Sequence, residues 1–406
     1  MISGKKILCA APPIYGHTVP LLALALKLRA NGNEANVISY GDHMNQLLER
    51  YGATVIRKEP KSLLEMAVET KSLLEKYQPD ITVCDFSIDL WLATRVWRPE
   101  CRVSILRCEL FLGYERRNLL LPDKFEFESK YQIDLVNDYF QRSGTAPVAD
   151  LRELCTAEVV VVPSVPQIDS LPNRVLESYP DASFVYTGPL LLPFGEAISE
   201  PLKEWLALRR LEGMPIVLIT LGTLWGAKIY RILAECLEST NLAVVIVVPY
   251  EKERHWLHER EGPRLRVIGF TDLLDLARYS DVVIHHCGHG TLHSVLLAGK
   301  PSITLASGEY DREDNAVRLE ELDCGRHLGH NLFRKGFSGD IFASAVHEVL
   351  ADNAIQNGVR EMSKIVRHYV ENLGPTEFVR TLAQRMHMDP SYPGNLHTVP
   401  YSTKEL

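Results

Sequence analysis

Paired cysteines, long apolar runs and basic blocks are all missing from this 406-residue chain. Its eight cysteines, Cys9, Cys84, Cys101, Cys108, Cys155, Cys236, Cys287 and Cys324, are scattered with no CxxC pair. In a chain this long that scatter argues for free thiols in a reducing cytoplasm rather than disulfides. No stretch of about 20 apolar, uncharged residues exists, so no transmembrane helix is expected. No cluster of Lys and Arg offsets the net charge of −8, which argues against a nucleic-acid partner. The amino terminus, "MISGKKILCAAPPIYGH", has two lysines before an apolar run, as a signal peptide does. That run is too short, and a proline pair and a helical pattern follow, so it reads as a first strand. There is no short internal repeat and no low-complexity tract.

What is present is material for two cores. Hydrophobic residues make up 46% of the chain, and its length suits two domains of roughly 200 residues. Short β-branched runs alternate with helical patterns. In the first half the strands are "KKILCAAP", "EANVISY", "ATVIRK", "DITVCDF", "RVSILRC", "AEVVVVP" and "ASFVYTG". The first helix is read from "VPLLALALKLRANG", with Pro20 in its first turn and Gly32 at its end. A second series runs through "PIVLITLGT", "LAVVIVVP", "LRVIGF", "DVVIHHCG" and "PSITLA". Strands separated by helices imply βαβ crossovers and parallel sheets covered on both faces. The expected fold is therefore α/β, with two Rossmann-like, doubly wound domains facing each other across a cleft. Ligands in such sheets sit beyond the carboxyl ends of the strands. The expected boundaries are 1–190 for the first domain, 191–213 for a linker with a short helix, 214–374 for the second domain, and 375–406 for a helix and polar tail packing back on the first.

The stretch "DVVIHHCGHGTLHSVLLAGKP" crowds four histidines and a cysteine into nine positions, His285 to His293. A metal site is one reading, because His289 and His293 lie four apart and share a face if helical, as in HExxH zinc sites. Gly290 and Thr291 occupy the slots where that motif puts its glutamate, and no third ligand follows, so no metal is expected. For His285, which alternation places opposite His286, a structural role in the strand is the better reading. The third reading is a phosphate site. A buried strand ends in Gly288 and Gly290, and a helix is expected to start at Thr291. Glycines admit a ligand close to the backbone, and the first amides of the helix attract an anion. His286 and the Thr291 hydroxyl could each hydrogen-bond a phosphate oxygen.

The segment "HHCGHGTLHSVLLAGKPSITLASGEYDREDNAVRLEEL" resembles the donor-binding segment of the nucleotide-sugar glycosyltransferases of GT-B fold. Plant secondary-metabolite members carry an HCGWNS-type motif there, and bacterial antibiotic-tailoring members an HxGxG[ST]-type one. The resemblance implies that His286, Gly288, Gly290 and Thr291 hold the pyrophosphate of a UDP- or dTDP-sugar. It puts Phe270, in "LRVIGFTDLLDLARYSD", on the nucleobase and Gly222 and Thr223, in "LITLGT", on the phosphate side. Asp311 and Arg312, in "YDREDNA", fall where the family grips the sugar hydroxyls. There are departures: Ser294 stands where plant members often have a glutamate for the ribose, and Arg312 replaces the usual glutamine. His289 replaces the family's tryptophan or methionine. Because arginine favours anionic partners, Arg312 either reads an unusual sugar or turns toward the diphosphate.

In the same family a histidine in the "GH" turn after the first strand deprotonates the acceptor hydroxyl, which implies His17, in "APPIYGHTVP". The reaction needs a base for the nucleophile and stabilisation of the departing diphosphate, and an imidazole suits the first task near neutral pH. The family's partner aspartate corresponds to Asp85, in "ITVCDFS". The plainer reading of Asp85 is an N-cap for the next helix, with Asp89 as a first-turn charge. Tyr15, Phe111 and Tyr114 are the candidates for acceptor contact. The aromatic segment after Cys108 (also Phe125, Phe127, Tyr131, Tyr139 and Phe140) reads more readily as core than as a pocket wall. No DxD-like pair stands at a strand end, so a metal-independent, inverting transfer without a cofactor is expected, from nucleotide sugar to a small, natural-product-like acceptor. A homodimer stays open. The rivals are a nucleotide-sugar 2-epimerase, a catalytically silent activator of a partner transferase, and a transferase acting on a lipid acceptor at a membrane surface.

Overall fold

The computed structural model describes residues 3–59, 61–107, 133–149, 151–171, 173–192, 196–222, 227–238, 240–305, 310–329 and 339–387. The chain divides into two compact units, Met1–Leu190 with Tyr369–Leu406, and Leu191–His368. The first is built on seven parallel strands: β1 (Lys6–Ala10), β2 (Glu34–Tyr40), β3 (Thr54–Lys58), β4 (Ile81–Cys84), β5 (Cys101–Ile105), β6 (Val159–Val162) and β7 (Ser183–Tyr186), in the order β3-β2-β1-β4-β5-β6-β7. The second has six: β8 (Ile216–Thr220), β9 (Ala243–Val247), β10 (Leu265–Ile268), β11 (Val282–His285), β12 (Ser302–Thr304) and β13 (Gly325–His327), in the order β10-β9-β8-β11-β12-β13. All pairings are parallel. In both sheets the order reverses beside the first strand, and that switch point is where doubly wound folds place ligands.

The strands are apolar because helices cover both sheet faces; β6, for example, is four buried valines. Beyond the strands, Tyr139 and Phe140 from the aromatic segment lie in the core of the first unit. Phe111, Tyr114 and the rest of 108–132 lie outside the described residues. The strand β13 escapes the sequence reading, since "GRH" offers neither length nor β-branched character. The stretch 191–213, read as a linker with a short helix, carries the helix Glu200–Leu211, whose Leu202, Trp205 and Leu206 are buried in the core of the second unit. The helix Gly374–His387 packs on β6 and β7 of the first unit, and Arg385 donates to the Ser183 hydroxyl.

Two helix starts differ from expectation. The first helix, α1 (Tyr15–Ala30), begins five residues before Pro20 rather than at it. Buried, apolar residues past the proline hold the helix together, so the missing N–H does not end it. The helix after β11 begins at His289 rather than Thr291, with Gly288 as its N-cap. The helix Ile88–Trp97 takes Ser87 as its N-cap residue, so the capping role considered for Asp85 is not the one it plays.

Candidate active site

In the first unit three strand ends lie side by side. Ala10 of β1 pairs in register with Cys84 of β4, and Cys84 with Ser104 of β5. Residues just beyond those ends are therefore neighbours, although they are far apart in sequence. His17 comes from the first turn of α1, Asp85 from the end of β4 and Arg107 from the end of β5. The His17 Nδ1 lies 2.7 Å from Asp85 Oδ1. Asp85 has no exposed surface, while the His17 side chain keeps a quarter of its own. Arg107 Nη1 donates to Asp85 Oδ1 at 3.1 Å, and Nη2 approaches Oδ2 at 3.3 Å. Burial alone would raise the Asp85 carboxyl, but the Arg107 guanidinium and the His17 ring hold it below its ordinary range. It is an ionised, buried acceptor.

The tautomer of His17 follows. Its Nδ1 is approached by an acceptor, Asp85, and at 3.2 Å by Arg107 Nη1, which has only protons to offer. The shorter contact to a carboxylate puts the proton on Nδ1, and Nε2 keeps its lone pair. Phe86 follows Asp85 with φ of 57°, a left-handed value that a phenylalanine adopts at a cost. Its ring lies 5.6 Å from that of His17. Tyr15 is half-buried and meets His43 edge-on. Arg107 went unnoticed in the sequence; the one signal was an arginine directly after an apolar strand. Asp89 is buried too, accepting from Tyr40, Thr70 and Ser87, a polar knot that ties β2 to the neighbouring helices.

In the second unit Thr220 of β8 pairs with His285 of β11, and His285 with Thr304 of β12. Gly222 and His286, just past these ends, consequently touch. A Cβ on Gly222 would stand 2.7 Å from His286 Cε1, and one on Gly288 would overlap Nε2. Gly222 also has φ of 67°, so glycine is needed there twice over. The buried His286 is driven down to a pKa of about 3 by desolvation and by the nearby charges of Arg312 and His285, against a hydrogen bond with the Thr220 backbone. Its Nδ1 is buried without a partner among the described residues. Cys287 follows with φ of 61°, and its carbonyl accepts from Asn315.

His285 has the structural role expected of it. Its Nδ1 accepts from the Cys287 N–H at 3.1 Å, which leaves the proton on Nε2 for the Ser302 hydroxyl at 2.9 Å. In the helix His289–Leu297 the first internal bond runs from Leu292 N–H to the Gly288 carbonyl, so the amides of His289, Gly290 and Thr291 precede the ladder. The rings of His289 and His293 meet at 4.3 Å, and His293 Nδ1 donates to the His289 carbonyl. Among the described residues no three His, Cys, Asp or Glu side chains converge on a metal position. The Ser294 hydroxyl donates to the Gly290 carbonyl within the helix. Asp311 and Arg312 open the helix Tyr310–Glu321; Arg312 is buried and its charge is felt by His286, that of Asp311 by Cys287. Phe270, half-buried, follows the edge strand β10, and its carbonyl accepts from Glu196. Thr223 lies outside the described residues.

Residues 234–384 match the family described as "Erythromycin biosynthesis protein CIII-like, C-terminal domain". The chain is 22% identical over 384 residues to the NDP-glycosyltransferase YjiC of Bacillus subtilis (strain 168), covering 87% of this chain and 91% of that one. Among solved structures, the spinosyn forosaminyltransferase SpnP superposes with a TM-score of 0.72 at 19% identity, over 95% of this chain and 100% of that chain. The spinosyn rhamnosyltransferase SpnG, solved with thymidine diphosphate, gives 0.67 at 17% identity, over 93% and 100%. Together with the two parallel α/β units, these likenesses show that the chain has the GT-B fold, and its sequence is similar to those of glycosyltransferases.

Proposed function

We propose that the protein transfers a sugar from a nucleoside diphosphate, UDP or dTDP, to a hydroxyl of a small, natural-product-like acceptor, with inversion at the anomeric carbon. The observation that carries this reading is the 2.7 Å contact between His17 Nδ1 and the fully buried Asp85. With Nδ1 protonated, Nε2 is free to take the acceptor's proton as its oxygen attacks. Asp85 then faces the imidazolium that forms. The anomeric carbon–oxygen bond breaks in the same displacement, and the diphosphate leaves with the electron pair.

That leaving charge needs neutral or positive donors. The amides of His289, Gly290 and Thr291 at a helix start provide them, and Gly290, with open space where a side chain would stand, lets a phosphate approach the backbone. A neutral His286, its one N–H held by the Thr220 backbone, adds no charge of its own. Arg312, buried near His286, supports the reading in which it serves the diphosphate rather than an acidic sugar. Phe270 is assigned to the nucleobase. SpnG binds thymidine diphosphate, which favours a nucleotide of this kind here too. In this reading the amides and Arg312 stabilise the leaving diphosphate without a resident metal.

Incubation with a panel of UDP- and dTDP-sugars and candidate acceptors, read by product mass, tests the proposal. Transfer must depend on acceptor, which separates it from a 2-epimerase and from a silent activator. His286→Ala and Phe270→Ala should each weaken nucleotide binding in calorimetry; unchanged binding in both removes the donor assignment. Excess chelator should leave the rate intact.

A further inference from the structure

Arg107 does more than neutralise a buried carboxylate. Its Nη2 donates to the Gly16 carbonyl at 2.6 Å while Nη1 holds Asp85 Oδ1. In an ordinary helix the Gly16 carbonyl would accept from the N–H four residues on, but that residue is Pro20, inside α1 and without an N–H. The proline offers no i+4 donor to this oxygen, one residue before His17, and the guanidinium donates to it. The same fork thus grips the turn that carries His17 and the carboxylate that orients it. Only a planar guanidinium with several fixed N–H groups can span both.

We propose that Arg107 is a positioning residue for the His17–Asp85 pair, anchored on the carbonyl that Pro20 leaves open. It fixes the rotation of the Asp85 carboxylate, so that Oδ1 faces Nδ1, and its charge opposes a second proton on the ring. The charged groups facing His17 among the described residues are Asp85 from the end of β4 and Arg107 from the end of β5. This proposal rests on His17 being the base.

The test uses the full chain and four variants: Arg107→Met, Arg107→Lys, Pro20→Ala and, as control, His17→Ala. The ¹⁵N-edited NMR titration of His17, assigned by its loss in the control, is followed beside the rate of transfer against pH. In Arg107→Met, with the guanidinium gone, the ring should take its second proton at a higher pH. The acid limb of the rate profile should move with it, and kcat should fall about tenfold with both KM values nearly unchanged. Arg107→Lys should recover the titration midpoint better than the rate, since it restores charge without the fork. Pro20→Ala supplies an N–H that competes for the Gly16 carbonyl and should shift both readouts the same way, by less. A folded Arg107→Met protein whose titration and profile overlie the wild type overturns the proposal. If that variant does not fold, an unchanged rate in Arg107→Lys together with an unmoved midpoint in Pro20→Ala overturns it instead. A His17→Ala enzyme that keeps its rate defeats the base assignment, and the NMR arm then still decides whether Arg107 positions the ring.

Discussion

The ends of β4 and β11 occupy the same place in their sheets, next to the first strand, and solve opposite problems. Each ends in a buried polar side chain, Asp85 or His286, followed by a non-glycine residue with left-handed φ, Phe86 or Cys287. After β4 the polar group is a charge, and the Arg107 guanidinium and the His17 N–H are assembled around it. After β11 it is a ring kept neutral by burial and wedged between two glycine backbones. The first arrangement suits a proton that must be taken up and handed on within the protein. The second suits a charge that arrives with a ligand, because it presents polar groups and no competing anion of its own.

The most direct way to break this comparison is to remove the proposed base. His17→Ala should lower transfer roughly 10²–10⁴-fold and leave nucleotide affinity, measured by calorimetry, where it was. An equal loss in both would mean the two ends do not divide the work. Next in size is acid sensitivity, which should belong to the β11 end. In the unfolded chain each histidine protonates near pH 6.5; in the folded chain His285 and His286 do so only near 3. Between those values the unfolded state holds more protons, so stability falls as the pH drops, by about 1.4 kcal/mol per unit and per ring. Asp85 acts lower: its depressed carboxyl adds stability above roughly pH 3.9 that is lost as the pH falls through its folded value. Denaturant midpoints at pH 6.5 and pH 5 should therefore draw together in His286→Asn and stay apart in Asp85→Asn.

A methyl group sharpens the steric half of the contrast. Gly288→Ala puts a carbon into the His286 ring and should cost about 1–3 kcal/mol in stability, with nucleotide affinity reduced by about tenfold. The titration of His17 should not move. The smallest effect is expected at Cys287→Gly, where relief of the left-handed φ offsets the loss of a buried thiol. Thermal melts should place it within about 1 kcal/mol of the wild type, and a much larger loss would mean that the thiol packs tightly.

Seven strands of the first sheet and five of the second were legible as apolar runs, because parallel strands buried on both faces leave little choice of residue. His17, Asp85 and the glycines around His286 were legible as positions at strand ends, sharpened by resemblance to a family with the same order of landmarks. The start of α1 was misread because Pro20 looks like a first-turn residue and nothing local says otherwise. β13 was missed because three residues carry too little periodicity to read.

Local sequence, through period and composition, determined two doubly wound α/β halves and the strand ends at which polar residues stand, since both depend on neighbours a few positions apart. That Arg107 joins His17 and Asp85, and that Gly222 presses on His286, was decided only by the pairing order β1-β4-β5 and β8-β11. Parallel pairing brings together residues 68 and 22 positions apart, and the register that does so is a property of the whole packed sheet rather than of any segment in it.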